Sequence, residues 1–472
     1  MNTHSDYSFF FAFLPEALLV FGALVVLAAD LSLVRGRSHA LRTDFAVAVA
    51  LAATVAAFAA AFFFGEFVSL ELFGSRFALL ALGVLALLLL AGTSRLKNTA
   101  EHVALVLFAL TGLMLMSSAT NTLVAFLGLE LAGLSFYILV GFDKTRRESA
   151  EAGLKYFLYG GMASAFLLFG FSLLYGLSNS LDFNKIGATQ AIFDTPLGVV
   201  ALVMVLVGFA YKAAAAPFHH WAPDAYQGAP VTTAALVASA SKLAGFMLLA
   251  RFSSEVFFRE DLPVMRWVFV CLVIASLLLG NIAALAQTNV RRLLAYSAIA
   301  HAGVLFIAVY TQAHPKSMAH YWLLYYVFTY GLATLGVFGC IAVVENNGGC
   351  QKILDLVGLW KRSRLLSSCL LVFVLSLAGV PPLAGFFAKF AVFRETLGVC
   401  KPGSEFFWLV LLAIAMSAVA LYYYLQILKA VFVADPVKEH GDASGLIKTP
   451  LPAAVAIVLA AAAVIVLGLV PC

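Results

Sequence analysis

Of 472 residues, 63% are hydrophobic and only 11% charged, and the mean hydropathy is +1.00. Soluble chains run at roughly 45–50% apolar and about 25% charged, so this is an integral membrane protein. The net charge of +5 is small, and no basic run with interleaved aromatics offers a nucleic-acid surface. The six cysteines (Cys271, Cys340, Cys350, Cys369, Cys400, Cys472) contain no C-x-x-C. They supply neither an iron–sulfur nor a zinc ligand set and read as isolated packed thiols.

The N-terminus, MNTHSDYSFFFAFLPEALLV, lacks a basic n-region and a small-residue cleavage site, so the first apolar segment is expected to stay rather than be removed as a signal peptide. A spanning helix needs about 20 mainly apolar residues. Fourteen segments qualify, near 9–34, 42–64, 74–94, 100–118, 120–141, 153–177, 197–220, 229–252, 263–285, 291–310, 317–344, 364–396, 404–434 and 450–471. No stretch between them is long or polar enough for a soluble domain. The expected fold is therefore all-α, a single transmembrane domain over 1–472.

Helix 1 carries Glu16 and Asp30 toward its ends, where an interfacial role is expected. Helix 5 has Glu130 as its one ionisable residue. Lys155 lies two or three residues inside helix 6 and four after Glu151, which fits snorkelling or an i,i+4 pair as well as a buried role. In helix 7, YKAAAAPFHHWAP sets Lys212 five residues before Pro217. The adjacent His219 and His220 should point in different directions, which makes a shared metal a poor reading. Lys242 lies about thirteen residues into helix 8, or roughly 20 Å at 1.5 Å per residue, too deep for easy escape. Helix 10 holds His301, either a relay group or a hydrogen-bonded core histidine. In helix 12, GVPPLAGFFAKF puts Lys389 seven or eight residues after Pro381 and Pro382.

Lys and Arg collect in cytoplasmic loops. The loops after helices 1, 3, 5, 9, 11 and 13 hold seventeen basic residues and the opposite loops eight, which leaves four of the 29 inside helices: Lys155, Lys212, Lys242 and Lys389. Both termini are thus expected outside, in a bacterial periplasm. A charge at the bilayer centre costs about 2.5–3.5 kcal/mol even on the lenient insertion scale, so it persists where it faces protein or water and has a role. Proline breaks helices, and broken backbone at membrane depth survives only beside protein or a polar cavity. The two breaks lie five helices apart. Helices 4–8 (100–252) and 9–13 (263–434) therefore read as inverted five-helix repeats, with helices 1–3 (1–99) and helix 14 (450–471) outside them, and Lys212 and Lys389 in comparable places.

The stretches LGLELAGLSFYILVGF, EAGLKYFLYGGMASAFLLFGFSLLYG, YKAAAAPFHHWAPDAYQGAPVTTAALVASASKLAGF, NIAALAQTNVRRLLAYSAIAHAGVL and GVPPLAGFFAKF resemble, in order, the helix 5, 6, 7–8, 9–10 and 12 signatures of the antiporter-like membrane subunits of NADH:quinone oxidoreductase, respiratory complex I. Within that family the chain looks like subunit N: it ends after helix 14, and Lys389 stands where subunit M typically has a glutamate. The resemblance implies a proton channel in which Glu130 and Lys212 pair, Lys242 is the central relay, Lys389 is the terminal group and His301 falls in an S-x-I-A-H-x-G motif. Lys155 joins these as a relay candidate. Gln227 departs from the pattern, which has a glutamate in the PDAYQGAP loop. No cofactor is expected in this chain, which has no G-x-G-x-x-G, P-loop or cluster cysteines; FMN, iron–sulfur clusters and quinone belong with partner membrane and redox subunits. A cation/proton antiporter subunit or a membrane-bound hydrogenase subunit of the same superfamily is the alternative, and a purely structural anchor a third, against which the deep lysines argue.

Overall fold

The computed structural model describes residues 12–34, 36–64, 69–94, 96–257, 263–312, 314, 317–349, 351–434 and 446–470. Helices run almost throughout. α1 is Leu14–Ser32, α2 His39–Phe63, α3 Leu70–Thr93, α4 Thr99–Ser118, α5 Thr122–Val140 and α6 Arg147–Ser178. Span seven is broken into α7a (Pro196–Lys212) and α7b (Trp221–Gly228), and α8 (Val231–Phe257) follows. Then come α9 (Pro263–Leu285), α10 (Val290–Gln312), α11 (Ala319–Asn346), the broken α12a (Arg364–Ala378) and α12b (Ala384–Val399), α13 (Glu405–Phe432) and α14 (Leu451–Leu469). Twelve of the helices among the described residues are long and apolar enough to cross a membrane, and α7a and α12a are the shorter apolar halves of the broken spans.

Each break has the same local features. After α7a, Ala214 adopts a left-handed φ of 56°, and the Ala216–Pro217 peptide is cis; after α12a, Gly379 has φ 86° and Pro381–Pro382 is cis. Backbone groups released by the break in span seven find other partners, as burial requires: Trp221 Nε1 donates to the Tyr211 carbonyl at 3.0 Å, and Ala216 N–H donates to Ser276 Oγ at 3.0 Å.

The two halves carry the same landmarks in the same order. An isolated antiparallel bridge joins Asn121 to Asp182 around α5 and α6, and another joins Asn289 to Lys352 around α10 and α11. When the left-handed residues Ala214 and Gly379 are laid on one another, Leu377 falls opposite Lys212 and Asp224 opposite Lys389. The two lysines therefore do not sit in comparable places: Lys212 ends the first limb of its broken helix, whereas Lys389 lies in the second turn of the second limb.

Contacts sort the loop residues into two ends. At one, Arg146 Nη1 lies 3.6 Å from Glu345, His39 bonds the Leu96 carbonyl and Asn346 the Thr93 carbonyl. At the other, Arg251 donates to the Ser118 carbonyl and Arg266 pairs with Glu405. This is the alternation that the basic-residue pattern predicts. Arg35, Arg95 and Lys438 of the richer set, Arg259 and Lys316 of the poorer set, and Cys350 and Cys472 lie outside the described residues. Among the other cysteines, Cys340 and Cys369 are buried, Cys400 is half-buried and Cys271 is exposed.

Three charged residues have packing that their places in the sequence do not announce. Glu16, in the first turn of α1, packs inside the protein: it is 4% exposed and accepts from Arg76 Nη2 at 2.7 Å, with Arg76 equally buried in α3. Asp30 is also buried and takes two bonds from Arg42, at 2.8 and 2.5 Å. In each case a guanidinium on a neighbouring helix meets the buried carboxylate. Arg291, the first residue of the tenth apolar segment and counted with the basic residues of the preceding loop, is buried in the first turn of α10.

Candidate functional site

α8, α10 and α11 are buried along nearly their whole length, so their outer shell is protein rather than lipid. Polar side chains can therefore sit at mid-depth on these three helices. Lys242 follows a π-helical turn, Val237–Ser241, inside α8. Such bulges redirect side chains and often mark functional positions. The lysine is 3% exposed. Its ammonium donates to the Ala298 carbonyl of α10 and lies 5.3 Å from the centre of the Tyr330 ring on α11.

His301, one turn further along α10, packs on the same Tyr330 ring at 4.8 Å. Tyrosine hydroxyls hold both of its ring nitrogens: Nδ1 is 2.8 Å from Tyr326 Oη and Nε2 is 3.3 Å from Tyr424 Oη. Tyr424 is in turn hydrogen-bonded to Ser297. A hydroxyl can donate or accept, so this cradle accommodates either tautomer and the protonated ring. Sequence reasoning found His301 but not these tyrosines, which come from α11 and α13 and share no motif with it.

Lys389 reaches back across its own break. Its ammonium donates to the carbonyls of Leu377 and Ala378, at 3.1 and 3.2 Å, the last residues of α12a. It also lines a cavity with His301, Asn281, Ser417 and Tyr423 that offers about 20 Å³ to the centres of water-sized molecules, room for about one water. Lys242, His301 and Lys389 thus form one continuous series, linked by Tyr330 and then by this cavity.

The first half is arranged differently. Lys212 is buried at the C-terminal end of α7a, packed where Gly245 of α8 leaves space; a Cβ there would stand 3.3 Å from Lys212 Cγ. Its ammonium lies 5.6 Å from the centre of the Phe136 ring. Among the described residues it makes no ion pair with Glu130, whose carboxylate instead accepts from Ser164 Oγ of α6. Neither Ser164 nor Phe136 carries a signal that sequence reasoning could have used.

Lys155 stands apart from this series. α6 begins at Arg147, six residues before the expected start, so Lys155 lies in its third turn. It pairs with Glu151 at 2.6 Å and Asp224 at 2.9 Å and is 41% exposed. Asp224 also accepts from Arg292 at 2.7 Å. Gln227, the departure in the PDAYQGAP loop, accepts from Arg292 through its side chain and from Arg291 through its backbone, both at 3.1 Å. His219 and His220, expected to diverge, lie side by side with ring centres 4.5 Å apart. Among the described residues, no group of three or more His, Cys, Asp or Glu side chains is placed to hold a metal ion.

A helical bundle with two broken spans and a buried series of lysines and a histidine defines an antiporter-like membrane subunit. The family described as NADH:quinone oxidoreductase/Mrp antiporter, TM, matches residues 119–417. Over 483 aligned positions the chain is 44% identical to NADH-quinone oxidoreductase subunit N 2 of Acidobacterium capsulatum, covering 97% of this chain and 96% of that one. To subunit N of Dehalococcoides mccartyi it is 33% identical, with 97% and 96% covered. Among solved structures, a chain of respiratory complex I from Thermus thermophilus superposes with a TM-score of 0.80 at 30% identity over 97% of both chains. A chain of the Mrp complex from Dietzia sp. DQ12-45-1b does so with a TM-score of 0.80 at 19% identity over 97% and 94%, a likeness of fold alone. The chain belongs to the NADH:quinone oxidoreductase/Mrp antiporter transmembrane family, and within it groups with subunit N of NADH-quinone oxidoreductase.

Proposed function

We propose that this protein is a proton-translocating membrane-arm subunit of NADH:quinone oxidoreductase in a bacterial plasma membrane, with both termini periplasmic. Quinone reduction, FMN and iron–sulfur chemistry reside in partner subunits, and this chain moves protons along Glu130, Lys212, Lys242, His301 and Lys389. The observation that carries this reading is the unbroken contact from Lys242 through Tyr330 to His301 and through the shared cavity to Lys389. Each of these groups can take up and release a proton, and each has a neutral dipole or ring beside it rather than a counter-charge. A small change in hydration can therefore tip its protonation.

The scale of the task supports the assignment. Moving one charge against the membrane potential costs about 2.3 kcal/mol per 100 mV, and opening or closing a buried acid–lysine pair changes the energy by several kcal/mol. The test is proton pumping by reconstituted complexes carrying Lys242→Ala. Quinone reduction and pumping should fall together at unchanged complex content. Normal pumping by Lys242→Ala would eliminate the relay.

A further inference from the structure

Glu130 is the acid of the proposed relay, yet it faces a serine. We infer that Ser164 is the alternative partner of Glu130 and, with Tyr137 beside it, holds the carboxylate away from Lys212 in the separated state of that pair; this rests on the relay reading above.

Three observations converge on the assignment. Ser164 Oγ donates to Glu130 Oε1, while the Lys212 ammonium rests near the Phe136 ring with no acid in ion-pairing range among the described residues. Tyr137 lies two turns after Glu130 on the same face of α5, and its hydroxyl reaches α6 at Gly160, one turn before Ser164. Gly160 makes room for that hydroxyl: a Cβ there would stand 2.0 Å from Tyr137 Oη. The ring is fixed in turn by its edge-on contact with Tyr156, 4.8 Å between centres.

The physical reason lies in balance. A carboxylate leaving an ammonium in a half-buried site needs another donor, or the separated state is too costly to visit. A second cation would trap it there. One neutral hydroxyl is a weaker donor than an ammonium, strong enough to receive the carboxylate and weak enough to release it, which keeps the two states close in energy. Ser164 is thus a positioning residue, acting through Glu130.

The experiment compares Ser164→Ala, Ser164→Thr and Ser164→Cys in the intact complex, with turnover expressed per assembled complex. Ser164→Ala should lose about tenfold in coupled turnover, the worth of one hydrogen bond to a charged group. Ser164→Thr, which keeps the hydroxyl, should restore most of it, and Ser164→Cys, a near-isostere with a weak S–H donor, should fall between. The Glu130 carboxyl band in infrared difference spectra, assigned by its disappearance in Glu130→Gln, should shift in Ser164→Ala and Ser164→Cys. Wild-type turnover in Ser164→Ala, an unmoved band, or a threonine variant as poor as alanine overturns the inference. Lys212→Ala serves as the reference: if it also pumps normally the relay reading itself fails, whereas an impaired Lys212→Ala beside a normal Ser164→Ala sinks only the role of Ser164.

Discussion

Lys389 shows how one residue can need both a charge and a helix break. Its ammonium is held by the two carbonyls that α12a leaves open at Leu377 and Ala378, and it faces a cavity large enough for a water. Charge type should therefore matter more than volume. Lys389→Met, similar in length and apolar, is expected to lose coupled turnover. Lys389→Glu, still protonatable, is expected to retain part of it, although its carboxylate would meet the same carbonyls that now accept from the ammonium. Dye-monitored proton uptake and steady-state quinone reduction in membrane vesicles, with complex content checked by blotting, decide it; a Lys389→Met complex that pumps like wild type reduces the lysine to a packing residue. Among the described residues Lys212 has no such carbonyl clamp, so its variants test the ammonium and its packing without one. Lys212→Ala should assemble but lose quinone reduction and pumping together. Lys212→Arg should keep less than its charge suggests, because arginine does not release its proton at accessible pH.

The broken helices set the next scale. A left-handed residue costs roughly 1–2 kcal/mol when it carries a Cβ. Gly379 avoids that cost at φ 86°, and a Cβ added there would lie 3.2 Å from Lys389 Cδ. Gly379→Ala should therefore both strain the break and press on the lysine. The expected result is faster amide exchange over residues 375–389 and reduced coupled turnover; unchanged exchange would show that the break tolerates a side chain. Ala214 occupies the matching place in span seven at φ 56° and already bears the cost. Ala214→Gly should consequently leave complex content and turnover at wild-type values, the opposite of Gly379→Ala. The extent of these breaks was not legible in sequence. Prolines at 217 and 381–382 announce a kink, but a continuous apolar run conceals that α7b is only eight residues long and that α12b runs for sixteen.

For the whole molecule, the basic-residue bias predicts which end faces the cytoplasm, and the contacts at each end group the same loops. Two exposed lysines test the orientation in a background from which all six native cysteines have been removed. Lys185→Cys, on the connection between α6 and α7a, should react with an impermeant maleimide added to intact spheroplasts, and Lys352→Cys, on the connection between α11 and α12a, only in inverted vesicles. The reverse labelling would invert the proposed orientation of both half-channels.

The all-helical class, the apolar spans and the burial of Lys212, Lys242 and Lys389 were legible in sequence alone, because hydrocarbon makes twenty apolar residues and a charge among them conspicuous whatever surrounds them. What each charge touches was decided only by tertiary packing. The tyrosines around His301 come from α11 and α13, the serine on Glu130 from α6 and the guanidinium on Glu16 from α3, each an ordinary residue on its own helix. Glu16 illustrates the limit: its position near a helix end does not announce a partner, and α3 brings Arg76 to within 2.7 Å in a buried ion pair. Helix formation in a membrane is local, since every backbone bond closes within the segment. The choice of neighbours depends on how fourteen such segments pack, so the partners of a buried polar group emerge only when the bundle is assembled.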